Sequence, residues 1–231
     1  MNADKNIHTE EHPAPESAGE TSRLIETRRA KAAELRKCGI NPYPYRFERT
    51  HTAAEALADF EKLSENETEI RVAGRIMLNR DMGKSIFADL HDQSGKLQLY
   101  VKIDNVGEGP FGIFGKLDIG DIIGATGTVF VTRKGEKSLR VTGFEVLCKA
   151  LHPLPDKHAG LTNVETRYRQ RYVDLIMSPN VRDVFTMRSK IVQAARDFLN
   201  GKGFLEVETP ILQPIYGGAS ARPFKTHHNT L

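Results

Sequence analysis

Apolar side chains recur along this chain in changing rhythms, and each change of rhythm marks a change of element. From about Thr21, the positions Leu24, Ala32 and Leu35 fall at helical spacing, and Gly39 and then Pro42 follow as stop signals. The pattern predicts a helix that turns many basic side chains to solvent. After the loop NPYPYRFERTH, Thr52 and Glu55 have the spacing of a capping box, and Ala53, Leu57, Phe60 and Leu63 predict a second helix behind it. Between about Glu69 and Leu147 the period shortens to two, which predicts five strands at 69–78, 85–91, 96–103, 121–131 and 137–147. The segment FGIFGKLD at 111–118 supplies a short helix between the third and fourth. Five strands with a helix in that place match the oligonucleotide-binding (OB) barrel, with a small Greek-key sandwich as the rival arrangement.

Beyond the strands, ALHPLPDKHAG contains Pro153 and Pro155, which forbid regular structure and predict a domain boundary. The longest helical pattern follows at 182–200. It carries Val184, Phe185, Ile191, Val192, Ala195, Phe198 and Leu199 on a wide apolar face and ends at Gly201 and Gly203. FLEVET then reads as a strand closed by Pro210. The expected organisation is α+β: a tail at 1–20, helices at 21–65, the barrel at 66–148, a linker at 149–180 and the start of another domain at 181–231.

Charge sharpens this picture because it is unevenly placed. The chain has 231 residues, 39% of them apolar and 27% charged, with a formal net charge of only +3. Any argument for a polyanionic partner therefore rests on local charge. Residues 1–20 carry five acidic side chains against Lys5 alone, and Ile7 is the only large apolar residue after the start, so the stretch is expected to be a disordered, nucleic-acid-repelling tail. Residues 22–49 carry Arg23, Arg28, Arg29, Lys31, Arg36, Lys37, Arg46 and Arg49, the composition of a phosphate-attracting surface or of a simply solvated helix. Cys38 and Cys148 have no metal or disulfide spacing, and no apolar run approaches a membrane span. Cytoplasm is the expected compartment, with no membrane partner.

Candidate chemistry lies on the polar side of the barrel pattern. Ile86, Ala88 and Leu90 alternate with Ser85, Phe87, Asp89 and His91; Leu97, Leu99, Val101 and Ile103 alternate with Gln98, Tyr100 and Lys102. The DQSG turn between them predicts a hairpin with Phe87 opposite Tyr100, Gln98 diagonal to it and Arg80 in the turn ahead. An outward aromatic beside an amide suits a splayed base, since the ring stacks on the base and the amide reads its edge. Two aromatics that merely pair across strands and shield the barrel have the same pattern. His227 and His228 are adjacent and cannot share one metal on a strand, so no metal site is expected; Gly217 and Gly218 permit close backbone approach, as any loop does.

At the C-terminal end, MRSKIVQAARDFLNGKGFLEVETPIL at 187–212 resembles motif 1 of the class II aminoacyl-tRNA synthetases. GGASARPFKTHHN at 217–229, with HPLPDKHAGL and RYRQRYVDL upstream, is similar specifically to the lysine-tRNA ligases. The resemblance extends from about residue 21 to the end, and it departs at Tyr216, where many members have proline before the glycine pair. It implies that Phe87 stacks on the central anticodon base, that Gln98 hydrogen-bonds that base and that Arg80 is a basic contact nearby. Arg75 and Glu136 are further candidates for that surface. Beside it, Arg28, Arg29, Lys31 and Arg36 of the basic helix are the candidates for the tRNA backbone, and Gly218 lies in the loop that approaches lysine. Motif 1 implies a homodimer interface with Phe185, Ile191, Phe198 and Pro210.

The family joins lysine to its tRNA using ATP and Mg2+, with the arginines and metal ions of motifs 2 and 3 supplying the electrostatics. The resemblance thus implies an N-terminal part that holds the reader of a U-rich anticodon and motif 1, stops before motifs 2 and 3, has no catalytic residue of its own and binds no ATP or Mg2+ alone. A free-standing RNA-binding OB protein is the alternative; the dimerisation helix argues against it, since a bare binding module has no use for one.

Overall fold

The computed structural model describes residues 18–155 and 161–211, together with residues 224, 226 and 227. The chain divides into two compact units, Met1–Asp156 and Lys157–Leu231. All but the last three positions of the expected acidic tail lie outside the described residues; Ala18, Gly19 and Glu20 open the first helix.

In the first unit, helix α1 (Ala18–Lys37) ends where Gly39 adopts φ 77°, a left-handed conformation that glycine takes without steric cost, and Ile40 N–H donates to the Leu35 carbonyl at 2.9 Å. Ala32 and Leu35 are buried, and the polar side chains beside them tie the helix down. Arg28 donates to the carbonyls of Ile119 and His152 at 3.2 and 3.0 Å, and Lys31 pairs with Asp118 at 2.6 Å. The expected second helix is two helices, α2 (Ala53–Ala58) and α3 (Phe60–Glu65), because Asp59 leaves the helical conformation between them at φ −89°, ψ 13°. The capping box forms, with the Thr52 backbone N–H donating to Glu55 at 2.8 Å.

Strands β1 (Glu69–Asp81), β2 (Ser85–His91), β3 (Lys96–Lys102), β4 (Ile122–Val131) and β5 (Lys137–Cys148) close into a barrel in the order β1-β2-β3-β5-β4. Closure comes from a parallel pairing of β3 with β5, which sets Gln98 opposite Ser138 and Tyr100 opposite Arg140. This decides between the two arrangements left open by the strand pattern, in favour of the OB barrel. Inward positions alternate as a period of two requires: Ile70, Val72 and Ile76 from β1 meet Ile86 and Leu90, Leu97 and Leu99, Ile123, and Leu139 and Val141, all nearly inaccessible to solvent. Burying each aliphatic side chain of this size stabilises by roughly 1.5–3 kcal/mol.

Between β3 and β4 stand two short helices where one was expected, α4 (Ile103–Val106) and α5 (Glu108–Gly115). The expected helix at 111–118 is α5, which starts earlier and forms despite the poor intrinsic propensity of Gly109, Pro110, Gly112 and Gly115, while α4 is the helix the pattern did not show. Tertiary packing overrides the propensity: Phe114 is fully buried and meets Phe144 edge-on at 5.1 Å.

The second unit corrects two expectations. Residues 163–177, expected within the linker, form α6 (Val164–Arg169) and α7 (Arg171–Met177). The prolines restrain only the residues near them, while Asn163 caps α6 by accepting from Thr166 N–H at 2.9 Å, and buried Asp174 draws in Arg167 at 3.1 Å, Ser178 at 3.0 Å and Arg171. Helix α8 (Pro179–Gly201) covers the long helical pattern. The FLEVET segment after it is not a strand: residues 204–210 form no ladder among the described residues, since a strand requires a neighbour to hydrogen-bond.

Candidate nucleic-acid interface

The hairpin of β2 and β3 sets Phe87 opposite Tyr100, as the alternation predicts, with ring centroids 5.0 Å apart and planes tilted by 37°. Tyr100 in turn lies 5.5 Å from Phe130 of β4, so the platform has three rings and not two. The Arg140 guanidinium stands 4.8 Å from the centre of the Phe130 ring, where a cation is attracted to the π face. The parity of β4 already carried a signal for Phe130: Ile123, Ala125 and Val129 point inward, so the residue after Val129 points outward. What the pattern could not show is that barrel closure brings β4 alongside β3 through β5.

These rings floor a groove of about 540 Å³, within the usual range of roughly 300–1,000 Å³ for ligand pockets. Its walls are Arg80, Met82, Gln98, Thr132, Arg133, Lys134 and Glu136. Arg80 is exposed and belongs to β1 itself, directly opposite Phe87, and not to the turn ahead of β2. The Thr132–Glu136 turn, closed by a Thr132 N–H to Glu136 carbonyl bond of 2.9 Å with Gly135 at φ 82°, lifts Arg133 and Lys134 to the rim and points Glu136 back at Gln98.

Gln98 is only 4% exposed, less accessible than a residue on a polar face is expected to be. Its Nε2 donates to Glu136 Oε2 at 2.8 Å, and its Oε1 accepts from the buried Ser138 hydroxyl at 2.9 Å. Buried polar groups require such partners, because desolvating them without one costs roughly 1–3 kcal/mol. Lys96 stands 3.9 Å from Glu136 and 3.7 Å from Asp89, balancing two carboxylates beside the amide.

The structure does not gather every candidate here. Arg75 is half-buried, donates to the Gly120 carbonyl at 2.7 Å and pairs in register with His91 and Ile122, away from the groove lining. On α1, Arg28 and Lys31 are committed to the barrel, Arg36 stands 5.8 Å over the Tyr43 ring, and Arg29 is exposed. Beneath them, Lys149 is fully buried and bonded at 2.9 Å to both oxygens of Asp121, also fully buried.

In the second unit, Ile191 and Phe198 are exposed at 62% and 63%, Pro210 is exposed, and Phe185 is half-buried under Arg171 at 5.1 Å. Tyr216, Gly217 and Gly218 lie outside the described residues. Among the described residues no three His, Cys, Asp or Glu side chains converge to hold a metal, and no helix is long and apolar enough to cross a membrane.

Comparison with known families agrees with both units. Residues 70–147 match the OB-fold nucleic acid binding domain, and residues 163–231 match the class II tRNA synthetases for D, K and N. The chain is 55% identical over 212 residues to a lysine-tRNA ligase of Carboxydothermus hydrogenoformans, covering 92% of this chain and 43% of that one. It is 56% identical over 208 residues to the lysine-tRNA ligase of Pelotomaculum thermopropionicum, covering 90% and 41%, and 51% identical over 212 residues to that of Bacillus subtilis, covering 90% and 42%. The chain thus spans about two fifths of the length of the relatives it matches. With likeness at that level running through the barrel and on into α8, the chain belongs to the lysine-tRNA ligase family of class II aminoacyl-tRNA synthetases.

Proposed function

We propose that this chain provides the anticodon-reading part of a lysine-tRNA ligase, and that the groove floored by Phe87, Tyr100 and Phe130 receives a splayed anticodon base. The observation that carries this reading is a half-exposed aromatic floor with a fixed amide and a carboxylate at its edge and three cations around it. Phe87 offers its face to the base, Gln98 and Glu136 meet the base edge, and Arg80, Arg133 and Lys134 attract the phosphates on either side. Glu136 without those cations would repel the backbone. On the barrel's helical flank, Arg29 and Arg36 are better placed than Arg28 and Lys31 to contact tRNA phosphates, because the latter pair already satisfies partners in the barrel. Arg75, bonded to a backbone carbonyl, supports the barrel wall behind the reader.

For the whole protein the reading is ATP-dependent attachment of lysine to a tRNA with a U-rich anticodon, in the cytoplasm, by a homodimer. The apolar face of α8, with Phe185, Ile191 and Phe198, and Pro210 beyond it form the dimer surface, and Gly218 belongs to the lysine-binding loop. Adenylate formation in the whole enzyme would use ATP and Mg2+.

The test is titration of an anticodon stem-loop with a central uridine. Phe87→Ala is expected to weaken binding by about 1–3 kcal/mol, the usual cost of removing one stacking ring, with little change in the thermal unfolding of the barrel. Unchanged affinity in a folded variant would remove Phe87 from the interface.

A further inference from the structure

Met82 stands among the polar residues of the groove wall, yet it is apolar, 64% exposed and outside the barrel core. The turn between β1 and β2 holds it there. Met82 N–H donates to the Ser85 carbonyl at 2.8 Å, Gly83 takes the positive φ (81°) that a two-residue hairpin turn requires at its first position, and Gly83 N–H donates to Asp81 Oδ1 at 2.7 Å. Arg80 lies directly opposite Phe87, so Met82, two residues further along, shares its face and is the diagonal neighbour of Phe87. Diagonal neighbours are roughly 7–8 Å apart, within reach of an unbranched side chain with three rotatable bonds. Phe87 thus has Tyr100 on its β3 side and Arg80 with Met82 on its β1 side.

We propose that Met82 is a specificity-determining residue: it forms the apolar back wall of the base seat and confines that seat to a pyrimidine. The inference rests on the proposed base-reading role of the groove. Gln98 and Glu136 meet the hydrogen-bonding edge of a base over Phe87 from the β3 and β5 side, so the opposite edge of the base faces β1. In a pyrimidine that opposite edge is the C5–H and C6–H pair, which has no donor or acceptor and suits a polarizable thioether. A purine held by the same edge would press its second ring on Met82 and set its N7 acceptor against an apolar wall, a clash of size and an unmatched polar atom. The wall rejects purines without distinguishing uracil from cytosine, whose difference lies on the edge that Gln98 and Glu136 meet.

The experiment titrates the 231-residue chain with three anticodon stem-loops that differ only in uridine, cytidine or adenosine at the central position. The unmodified chain is expected to prefer uridine to adenosine. Met82→Ala weakens the uridine loop by about two- to tenfold, the range of one thioether–ring contact, and does not weaken the adenosine loop, so the uridine-to-adenosine ratio falls by at least that factor. The uridine-to-cytidine ratio stays where it was. Met82→Leu, which keeps the apolar bulk, recovers most of the loss. In a Phe87→Ala background the effect of Met82→Ala shrinks, because both side chains act on one base. Met82 is exposed, so its truncation leaves the barrel folded, which thermal unfolding checks. The inference is overturned by an unaltered uridine-to-adenosine ratio in Met82→Ala, by an equal fall in the uridine-to-cytidine ratio, or by an undiminished effect when Phe87 is already alanine. An unmodified chain that binds all three loops equally overturns it together with the base-reading role, whereas a uridine preference indifferent to Met82 overturns this inference alone.

Discussion

Single positions in this barrel differ in how much change they tolerate, and the glycines of β4 show why. A Cβ built on Gly124 would run into the Phe47 ring, which can swing aside at some cost to its stacking under Arg71 at 4.5 Å. A Cβ on Gly127 would run into the Arg140 carbonyl, which is backbone in the neighbouring strand and cannot move without breaking the ladder. Gly127 also sits where the β4–β5 register shifts, a bulge that crowds the two strands. Gly127→Ala is therefore expected to destabilise the barrel by at least the roughly 1–3 kcal/mol typical of overpacking, and by more than Gly124→Ala. Urea unfolding of the two variants checks the order; equal losses would show that the strand yields as easily as the ring.

Helix α1 presents the same logic at the level of an element. Its apolar seat is small, Ala32 and Leu35, and much of its attachment is polar, through Arg28, Lys31 and Asp118. Burial pushes the Asp118 carboxyl up, but hydrogen bonds and charge from Lys149 and Lys31 outweigh it and hold the group below its ordinary value of 3.8. A carboxylate lowered in the folded state stabilises fully above its ordinary pKa, and the contribution is lost as pH falls from there through the folded value. The helix should thus stay seated at neutral pH and loosen only below about pH 4. Asp118→Asn is expected to cost about 1–3 kcal/mol at pH 7, since Lys149 is left short of one buried acceptor, and to flatten the acid limb of stability. Unfolding by circular dichroism between pH 7 and pH 2 tests it, and an unchanged acid limb in the variant would assign that limb to other carboxylates.

Over the whole molecule, charge and chemistry are proposed to be separable. The groove rim carries Arg80, Arg133 and Lys134, against a net charge of only +3 for the chain. Each phosphate neutralised on a single strand contributes about 0.7 to the logarithmic salt slope. Replacing both Arg133 and Lys134 by alanine should therefore reduce that slope by about 1.4 and weaken uridine and cytidine loops alike, unlike a change at Gln98. An unaltered slope would place those cations off the phosphate path. We propose that the same chain, which spans about two fifths of the length of its relatives, shows no lysine-dependent exchange of pyrophosphate into ATP. Exchange above background from the purified chain would overturn that expectation.

Much of the barrel was legible in the order of residues alone, because a strand with one buried face repeats every two positions and a turn of Asp92, Gly95 or Gly135 type interrupts it visibly. The outward placement of Phe87 and its pairing with Tyr100 follow from that parity and from a short hairpin. α6 and α7 were less legible, since caps such as Asn163 and a buried acid such as Asp174 act only once their partners are near. The FLEVET segment shows the converse: a strand-like pattern forms no ladder where no neighbouring strand pairs with it among the described residues. Closure of the sheet decided the rest. The β3–β5 pairing joins residues 40 positions apart, carries Phe130 to the platform, buries Gln98 and supplies Ser138 as its partner. No local periodicity encodes which distant strand will donate a hydroxyl to a buried amide, since that depends on three-dimensional proximity created by the whole core.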